Sequence, residues 1–226
     1  MAEIPELTAE EVRVLGVLIE KSQATPAYYP MTLNAITAAC NQKSSRDPVV
    51  EYSEDIVDYA LEKLRDKGLA AQYTGSGRAL KHGHRIGREG LGLTPAQAAA
   101  ISIMMLRGPQ TPGEIKTRSG RQFNYPSLEF VQETIDGMIN GETKSVIEAP
   151  RRPGQKETRY THTFLPVDET AYEPEAPASS SGGSILSDIN ALKERIEKLE
   201  DQQKDLIAYN AQLAKELDEL RRTLYE

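Results

Sequence analysis

Apolar residues recur at helical spacing in two stretches of the chain that begin alike, LTAEEVRVLGVLIEKSQATP and LTPAQAAAISIMMLRGPQTP. Each opens with the spacing of a capping box, Thr8 with Glu11 and Thr94 with Gln97. In this motif two side chains satisfy the first free amides of a helix. Pro95 adds a residue favoured at the first helical position. The stretches therefore predict two related helices, whose periodic apolar residues are Val12, Leu15, Leu18 and Ile19 in the first and Ile101, Met104 and Met105 in the second.

A second pair of similar stretches follows, SEDIVDYALEKL from Ser53 and SLEFVQETIDGM from Ser127. Gly68 and Gly141 predict where these helices end, because glycine readily adopts the left-handed conformation of a helix C-terminus. The first pair of stretches lies 86 residues apart and the second pair only 74, so the first copy carries an insertion ahead of this helix. The apolar positions correspond pairwise: Ile56 with Phe130, Val57 with Val131, Leu61 with Ile135 and Leu64 with Met138.

After each glycine comes a strand-like pair around a glycine-containing turn, LAAQYTGSGRALKHGHRI and SVIEAPRRPGQKETRYTHTFLP, which is typical of a β-hairpin. Helix, short helix, helix and hairpin therefore occur twice in the same order. This is the order of elements in a winged helix. The sequence predicts a mainly α fold with small β-hairpin wings (α+β), in which two tandem winged-helix domains occupy residues 1–90 and 91–166.

The C-terminal part of the chain has a different pattern. Residues 167–184 are rich in Pro, Ser, Gly and acidic residues and predict a disordered linker. Residues 185–226 lack Gly and Pro and keep an unbroken heptad, with Ile or Leu at every core position except Gln203 and Asn210, which favours a parallel coiled coil. We expect a homodimer through 185–226, although a helix folding back on its own domains is the alternative. The dimerisation residues would be Ile189, Leu192, Ile196, Leu199, Leu206, Asn210, Leu213, Leu217 and Leu220.

The distribution of charge gives different expectations about nucleic-acid binding for the third helices and for the hairpins. The net charge of −7 comes entirely from residues 166–226, which hold 7 basic and 14 acidic residues. The third helices would expose carboxylates that repel nucleic acid, namely Glu54, Asp55, Asp58, Glu62, Glu129, Glu133 and Asp136. The hairpins and the short helix of the second copy carry the opposite charge and could contact phosphates: Arg78, Lys81, Arg85, Arg88, Lys116, Arg118, Arg121, Arg151, Arg152, Lys156 and Arg159.

The stretch YYPMTLNAITAACNQKSSRDP predicts a short helix with two unlike faces. Thr32 is placed to cap it, and Leu33, Ile36 and Cys40 share one apolar face. The other face could bind the backbone or a phosphate of a partner, or its side chains could instead cap and close an unusually long loop. The residues of this candidate partner surface are Asn34, Thr37, Asn41, Gln42, Lys43 and Arg46.

Chemistry-bearing motifs give little indication of an enzyme. The chain has no Gly-rich phosphate loop, no His-Glu pair at helical spacing and no serine elbow, so neither catalytic residues nor a cofactor are expected. His82 and His84 could place two imidazoles on one strand face, but a third metal ligand is not evident. Cys40 is the single cysteine, which excludes an intrachain disulfide, and no signal peptide or membrane span is evident. We expect a cytoplasmic protein with no membrane partner.

Three motifs, YYPMTLNAITAACNQKSSRDPVVEYSE, RGPQTPGEIKTRS and REGLGLTPAQAA, resemble the YceH family of bacterial proteins over residues 5–165. The resemblance implies a tandem winged-helix protein with a helical C-terminal tail. It implies no catalytic or binding residues, because no biochemical activity is established for that family as a group.

Two functions are therefore expected from the sequence. The favoured one is a non-enzymatic, dimeric protein-interaction or scaffold module with an unknown protein partner. The alternative is a DNA-binding, transcription-regulator-like protein that contacts phosphates through its basic wings. The charges of the third helices favour the first.

Overall fold

The first half of the chain forms three helices followed by a hairpin. A computed structural model describes residues 4–74, 80–87, 90–150 and 157–165, all of which fall in one compact unit, Met1–Glu173. The predicted linker and coiled coil, with every predicted dimerisation residue, lie outside the described residues. The elements of the first half are α1 (Ala9–Ala24), a 3-10 turn (Pro26–Tyr28), α2 (Leu33–Cys40), α3 (Glu54–Asp66), β1 (Ala70–Thr74) and β2 (Leu80–His84).

The second half repeats that order without the 3-10 turn. Its elements are α4 (Pro95–Arg107), α5 (Pro112–Arg118), α6 (Leu128–Ile139), β3 (Val146–Glu148) and β4 (Tyr160–His162). β1 pairs antiparallel with β2, and β3 pairs antiparallel with β4. The described residues thus form a mixed α+β structure with six α-helices and two small antiparallel hairpins.

Side-chain caps explain where the helices begin. The predicted capping boxes at Thr8 and Thr94 are confirmed, and Thr32 caps α2 as predicted. A third capping box starts α5, at Thr111. The Thr-Pro pairs that align in the sequence are not structurally equivalent, because Thr25 ends α1 whereas Thr111 begins α5. The structural counterpart of Thr111 is therefore Thr32.

A single residue outside each hairpin extends it toward a third strand. Met31, just before α2, bridges His82 through two backbone hydrogen bonds of 3.0 and 2.7 Å. Gln110, just before α5, bridges Tyr160 in the same way at 2.9 and 2.8 Å. These bridges tie the second helix of each half to its own hairpin, so the two halves have the same local topology.

The two halves share one hydrophobic core. Helices α1 and α4 pack against each other along their length, and their apolar side chains belong to the same buried cluster. Gly16 is at the closest approach, since a Cβ at this position would lie 3.0 Å from Met105 Cβ and 3.1 Å from Leu106 Cγ. The absence of a side chain at Gly16 therefore lets the helices of the two halves approach this closely.

Candidate functional site

The exposed face of α3 differs from the apolar pattern expected from the sequence. Val57, Leu61 and Leu64 are fully buried as the pattern predicts, but Ile56 is 41% exposed and Tyr59 is 62% exposed. Residues 56 and 59 are three positions apart and share a stripe of the helix that points away from the core. They form a second apolar stripe that the repeat alignment did not distinguish from the core.

Ile56 and Tyr59 line a shallow groove between α3 and the start of α1, with a volume of about 670 Å³. Of the carboxylates of α3 that are exposed as predicted, Asp55 lines this groove, whereas Glu54, Asp58 and Glu62 lie outside its lining. We call Ile56, Tyr59 and these four carboxylates the α3 face.

Basic side chains gather at the C-terminal end of α3. The Lys63 ammonium lies 5.1 Å from the centre of the Tyr59 ring, a cation–π geometry. Lys67 is held by Glu11 at 2.6 Å and by the backbone carbonyl of Glu6 at 2.9 Å. The first turn of helix α3 is consequently acidic and its last turn is basic, which also matches the helix macrodipole.

The corresponding position of α6 is exposed as well. Phe130 is 37% exposed and its neighbour Leu128 is 47% exposed. Unlike Ile56, Phe130 lies beside other aromatic rings, with ring centroids 6.3 Å from Phe123 and 6.2 Å from Tyr125. The third helix of each half thus exposes an apolar residue at the same position, but the two surroundings differ.

The polar face of α2 is largely occupied by contacts within the chain. Asn41 donates to the carbonyl of Tyr52 and accepts from its amide, both at 2.8 Å, which closes the long loop before α3. Asn34 donates to Glu54 at 3.1 Å, and Thr37 donates to the carbonyl of Leu33 at 3.1 Å. These contacts match the loop-closing alternative of the sequence analysis.

Arg46 does not lie on the surface where the sequence analysis placed it. Its side chain is 0% exposed and binds Glu20 through two hydrogen bonds, of 3.1 and 2.7 Å. It also donates to the carbonyl of Ala39 and to the side chain of Gln42, each at about 3.0 Å. Arg46 therefore anchors the loop after α2 from a buried position, because its guanidinium is bound by other residues of this chain.

Two of the predicted surfaces meet in one place. Gln42 and Lys43 of the candidate partner surface line the same cavity as Arg118 and Arg121 of the predicted phosphate-contacting set. The cavity has a volume of about 930 Å³ and lies between elements of the two halves. We call it the inter-repeat groove. Sequence reasoning missed its other lining residues, notably Lys21 and Arg107, because the repeat pattern does not indicate that the ends of α1 and α4 lie side by side.

Other predicted phosphate contacts are engaged by carboxylates. Arg159 binds Glu114 at 2.7 Å and the carbonyl of Pro109 at 2.8 Å, and Arg118 lies 3.4 Å from the same carboxylate. Lys116 is half-buried on α5, while Lys81 and Arg85 are on the strand β2 and just after it. The remaining cations of this set lie outside the described residues: Arg78, Arg88, Arg151, Arg152 and Lys156.

The two histidines considered as metal ligands have different surroundings. His82 is 3% exposed, whereas His84 Nε2 lies 2.8 Å from the Ser22 hydroxyl. Burial lowers the pKa of His84 to about 4, so the neutral ring is favoured. Among the described residues no group of three or more His, Cys, Asp or Glu side chains could hold a metal ion. Within the same part of the chain, no helix is both long and apolar enough to cross a membrane.

Comparisons with known proteins place this fold in a family. Residues 7–155 match the family model described as protein of unknown function, DUF480. A UPF0502 protein of Koribacter versatilis is 44% identical over 179 residues, covering 79% of this chain and 83% of that protein. UPF0502 proteins of Shewanella amazonensis and Geobacter metallireducens are 41% and 42% identical, covering 86% and 87% of this chain and 94% and 88% of theirs. The chain therefore belongs to the DUF480 family of proteins of unknown function, together with these UPF0502 proteins.

Proposed function

We propose that this protein is a non-enzymatic protein-interaction module in which the α3 face receives a segment of a partner protein. The repeated order of three helices and a hairpin, each with its single-residue bridge, supports a tandem winged-helix arrangement as the framework. The observation that carries the proposal is the exposed pair Ile56 and Tyr59, which line a groove on a helix whose first turns expose carboxylates.

The chemistry of the α3 face defines the partner segment. An exposed isoleucine and tyrosine beside a groove of about 670 Å³ suit apolar side chains on one side of a helix. The carboxylates of Asp55 and Glu10 in the groove lining would meet lysines or arginines of this segment. We expect the partner segment to be a basic amphipathic helix.

The same carboxylates argue against DNA readout through the third helices. A helix that enters a DNA groove approaches phosphates, which repel Glu54, Asp55, Asp58 and Glu62. The alternative, DNA binding through the basic wings, has fewer free cations than the sequence suggests, because Arg118 and Arg159 share Glu114. A log–log plot of duplex affinity against salt separates the two functions, since phosphate contacts give a steep negative slope.

Dimerisation through 185–226 is part of this proposal and is supported by the heptad pattern. Two copies would present two α3 faces. A partner with two matching segments would bind more tightly, because its second segment would bind within the same complex. Sedimentation equilibrium of the full chain should give twice the monomer mass at micromolar concentration. A monomer under these conditions would refute the dimer and leave the α3 face untouched.

Site-specific photo-crosslinking in the producing cell tests the α3 face. A photoreactive phenylalanine at position 59 should give a discrete covalent adduct with one partner, and Ile56→Asp should abolish that adduct. The same group at the exposed Glu142 is the matched control and should not give it. The proposal fails if both positions give the same adducts, if Ile56→Asp leaves them unchanged, or if the cross-linked partner peptide is acidic.

A further inference from the structure

The inter-repeat groove collects positive charge from both halves of the chain. Its cations come from α1, the loop after α2, the end of α4, and the end of α5 with the loop that follows. The five are Lys21, Lys43, Arg107, Arg118 and Arg121. The cations therefore converge through tertiary packing and not through a local run of basic residues.

Among the described residues that line the groove, the one carboxylate already has cationic partners. Glu20 accepts a hydrogen bond from Arg46 at 2.7 Å and lies 3.2 Å from Lys21. Burial alone would raise the pKa of Glu20, but its hydrogen bond and ion pair with Arg46 lower it, so the carboxylate is ionised and paired. The other cations of the groove consequently receive little compensation from Glu20.

Three of those cations have no partner within the described part of the chain. The side chains of Lys43, Arg107 and Arg121 make no hydrogen bond or ion pair with described residues, and Arg107 is half-buried. Burial, then the like charges of Arg118 and Arg46, hold the pKa of Arg107 below its ordinary value. A multiply charged anion between Arg107 and Arg118 would relieve this repulsion.

Helix termini explain only part of this charge. Lys21, Arg107 and Arg118 stand in the last turns of their helices, where a cation also compensates the free carbonyls. Lys43 and Arg121 lie in loops and have no such role, yet they line the same groove. Their convergence is better explained by an external ligand with several negative charges.

The groove also has an apolar part. The half-buried Ala24 contributes to its lining beside the basic side chains, and the nearly buried Ile103 and Leu106 form its floor. Its volume of about 930 Å³ falls within the range of small-molecule sites, about 300–1,000 Å³. A ligand with adjacent phosphates and a flat ring matches both parts of the lining.

We propose that the inter-repeat groove binds a nucleoside polyphosphate. Arg107 and Arg121 contact its phosphates, Lys43 closes over them from the loop after α2, and Arg118 stays paired with Glu114 at the edge of the groove. The base lies over Ala24 and the exposed edges of Ile103 and Leu106. Guanidinium groups suit this task because they bind phosphate oxygens through two parallel hydrogen bonds. This inference is independent of the α3 face, which lies on other elements.

Calorimetric titration of the full chain with ATP, GTP, inorganic triphosphate and a 20-base-pair duplex tests the proposal. We expect ATP or GTP to bind, and to bind more tightly than inorganic triphosphate. Arg107→Gln combined with Arg121→Gln should raise the dissociation constant for the nucleotide at least tenfold. The control, Lys81→Gln with Arg65→Gln, removes the same charge outside the groove lining and should leave it within twofold.

Three results would overturn the proposal. They are no nucleotide binding at millimolar concentration, equal loss in the control variant, or binding of the duplex alone, which would assign the cations to a nucleic-acid backbone. Equal affinity for inorganic triphosphate and the nucleotides would overturn the assignment of the base. Lys43→Glu, in an exposed loop, should weaken nucleotide binding too, and it serves as the test if the double variant fails to fold.

Discussion

Replacing Arg46 by methionine tests whether this residue supports the fold or belongs to an exposed partner surface. Methionine keeps an unbranched apolar stem but removes the guanidinium that binds Glu20 at 2.7 Å and the carbonyl of Ala39 at 3.0 Å. Breaking a buried ion pair by removing one partner costs about 3–5 kcal/mol, because the other charge stays buried. Glu20 is 14% exposed and keeps Lys21 at 3.2 Å, so we expect a loss of about 3 kcal/mol.

Urea unfolding of the full chain, followed by circular dichroism at pH 7, measures this loss. The urea concentration at the midpoint should fall, while the slope of the free energy of unfolding against urea concentration stays the same. The substitution changes stability and not the surface exposed on unfolding. Lys43→Met is the matched control, because it removes an exposed cation from the same loop and should change stability by less than about 0.5 kcal/mol.

A double-mutant cycle identifies the cause. Glu20→Gln removes the buried charge, so Arg46→Met should cost about 1–3 kcal/mol less in that background than alone. The reasoning is refuted if Arg46→Met costs under about 1 kcal/mol and resembles Lys43→Met. Arg46 would then be available to a partner, as its sequence context suggests.

Three further predictions address the core and the buried titratable groups. Gly16→Leu should destabilise the full chain by about 1–3 kcal/mol in urea unfolding, because even its Cβ would lie 3.0 Å from Met105 Cβ, and an unchanged midpoint would contradict close α1–α4 packing. Burial lowers the pKa of His84 and of His162 to about 4, below the unfolded value of about 6.5, so the unfolded chain binds protons first as the pH falls. Stability present above pH 6.5 should therefore decrease by about 2 kcal/mol by pH 5 for each of these two histidines, and His162→Gln should remove its own share of about 2 kcal/mol; equal pH profiles for the variant and the parent would refute it. Burial raises the pKa of the Cys40 thiol to about 12, so iodoacetamide should modify it only after unfolding, and rapid labelling of the folded chain at pH 8 would show that it is exposed.

Local chemistry made much of the fold predictable. A capping box acts within four residues and an apolar period within two turns, so Thr8 and Thr94 identified their helices before any tertiary contact was known. The repeat and the hairpin pattern predicted the same order of elements in both halves, which the described residues confirm. Residue identity in the repeat alignment was less reliable, since Thr25 and Thr111 align in sequence but Thr25 ends a helix and Thr111 begins one.

Hydropathy alone did not distinguish the two apolar stripes of α3. Ile56 and Val57 are adjacent, so helical geometry turns them about 100° apart, and only one can lie at the centre of the buried face. A helical projection that pairs Ile56 with Tyr59 would have revealed the second stripe. It would not have shown that this stripe borders a groove, because the other wall belongs to α1.

The sequence by itself determined the helices, their caps, the repeated order of elements and the acidic character of the third helices. Only the tertiary structure decided that Arg46 is buried, that Gly16 allows α1 and α4 to touch, and that Lys43 and Arg107 share one groove. The reason is physical. Caps and periodicity depend on neighbours a few residues away, whereas charge pairing and groove formation depend on which side chains meet when helices from distant parts of the chain pack together.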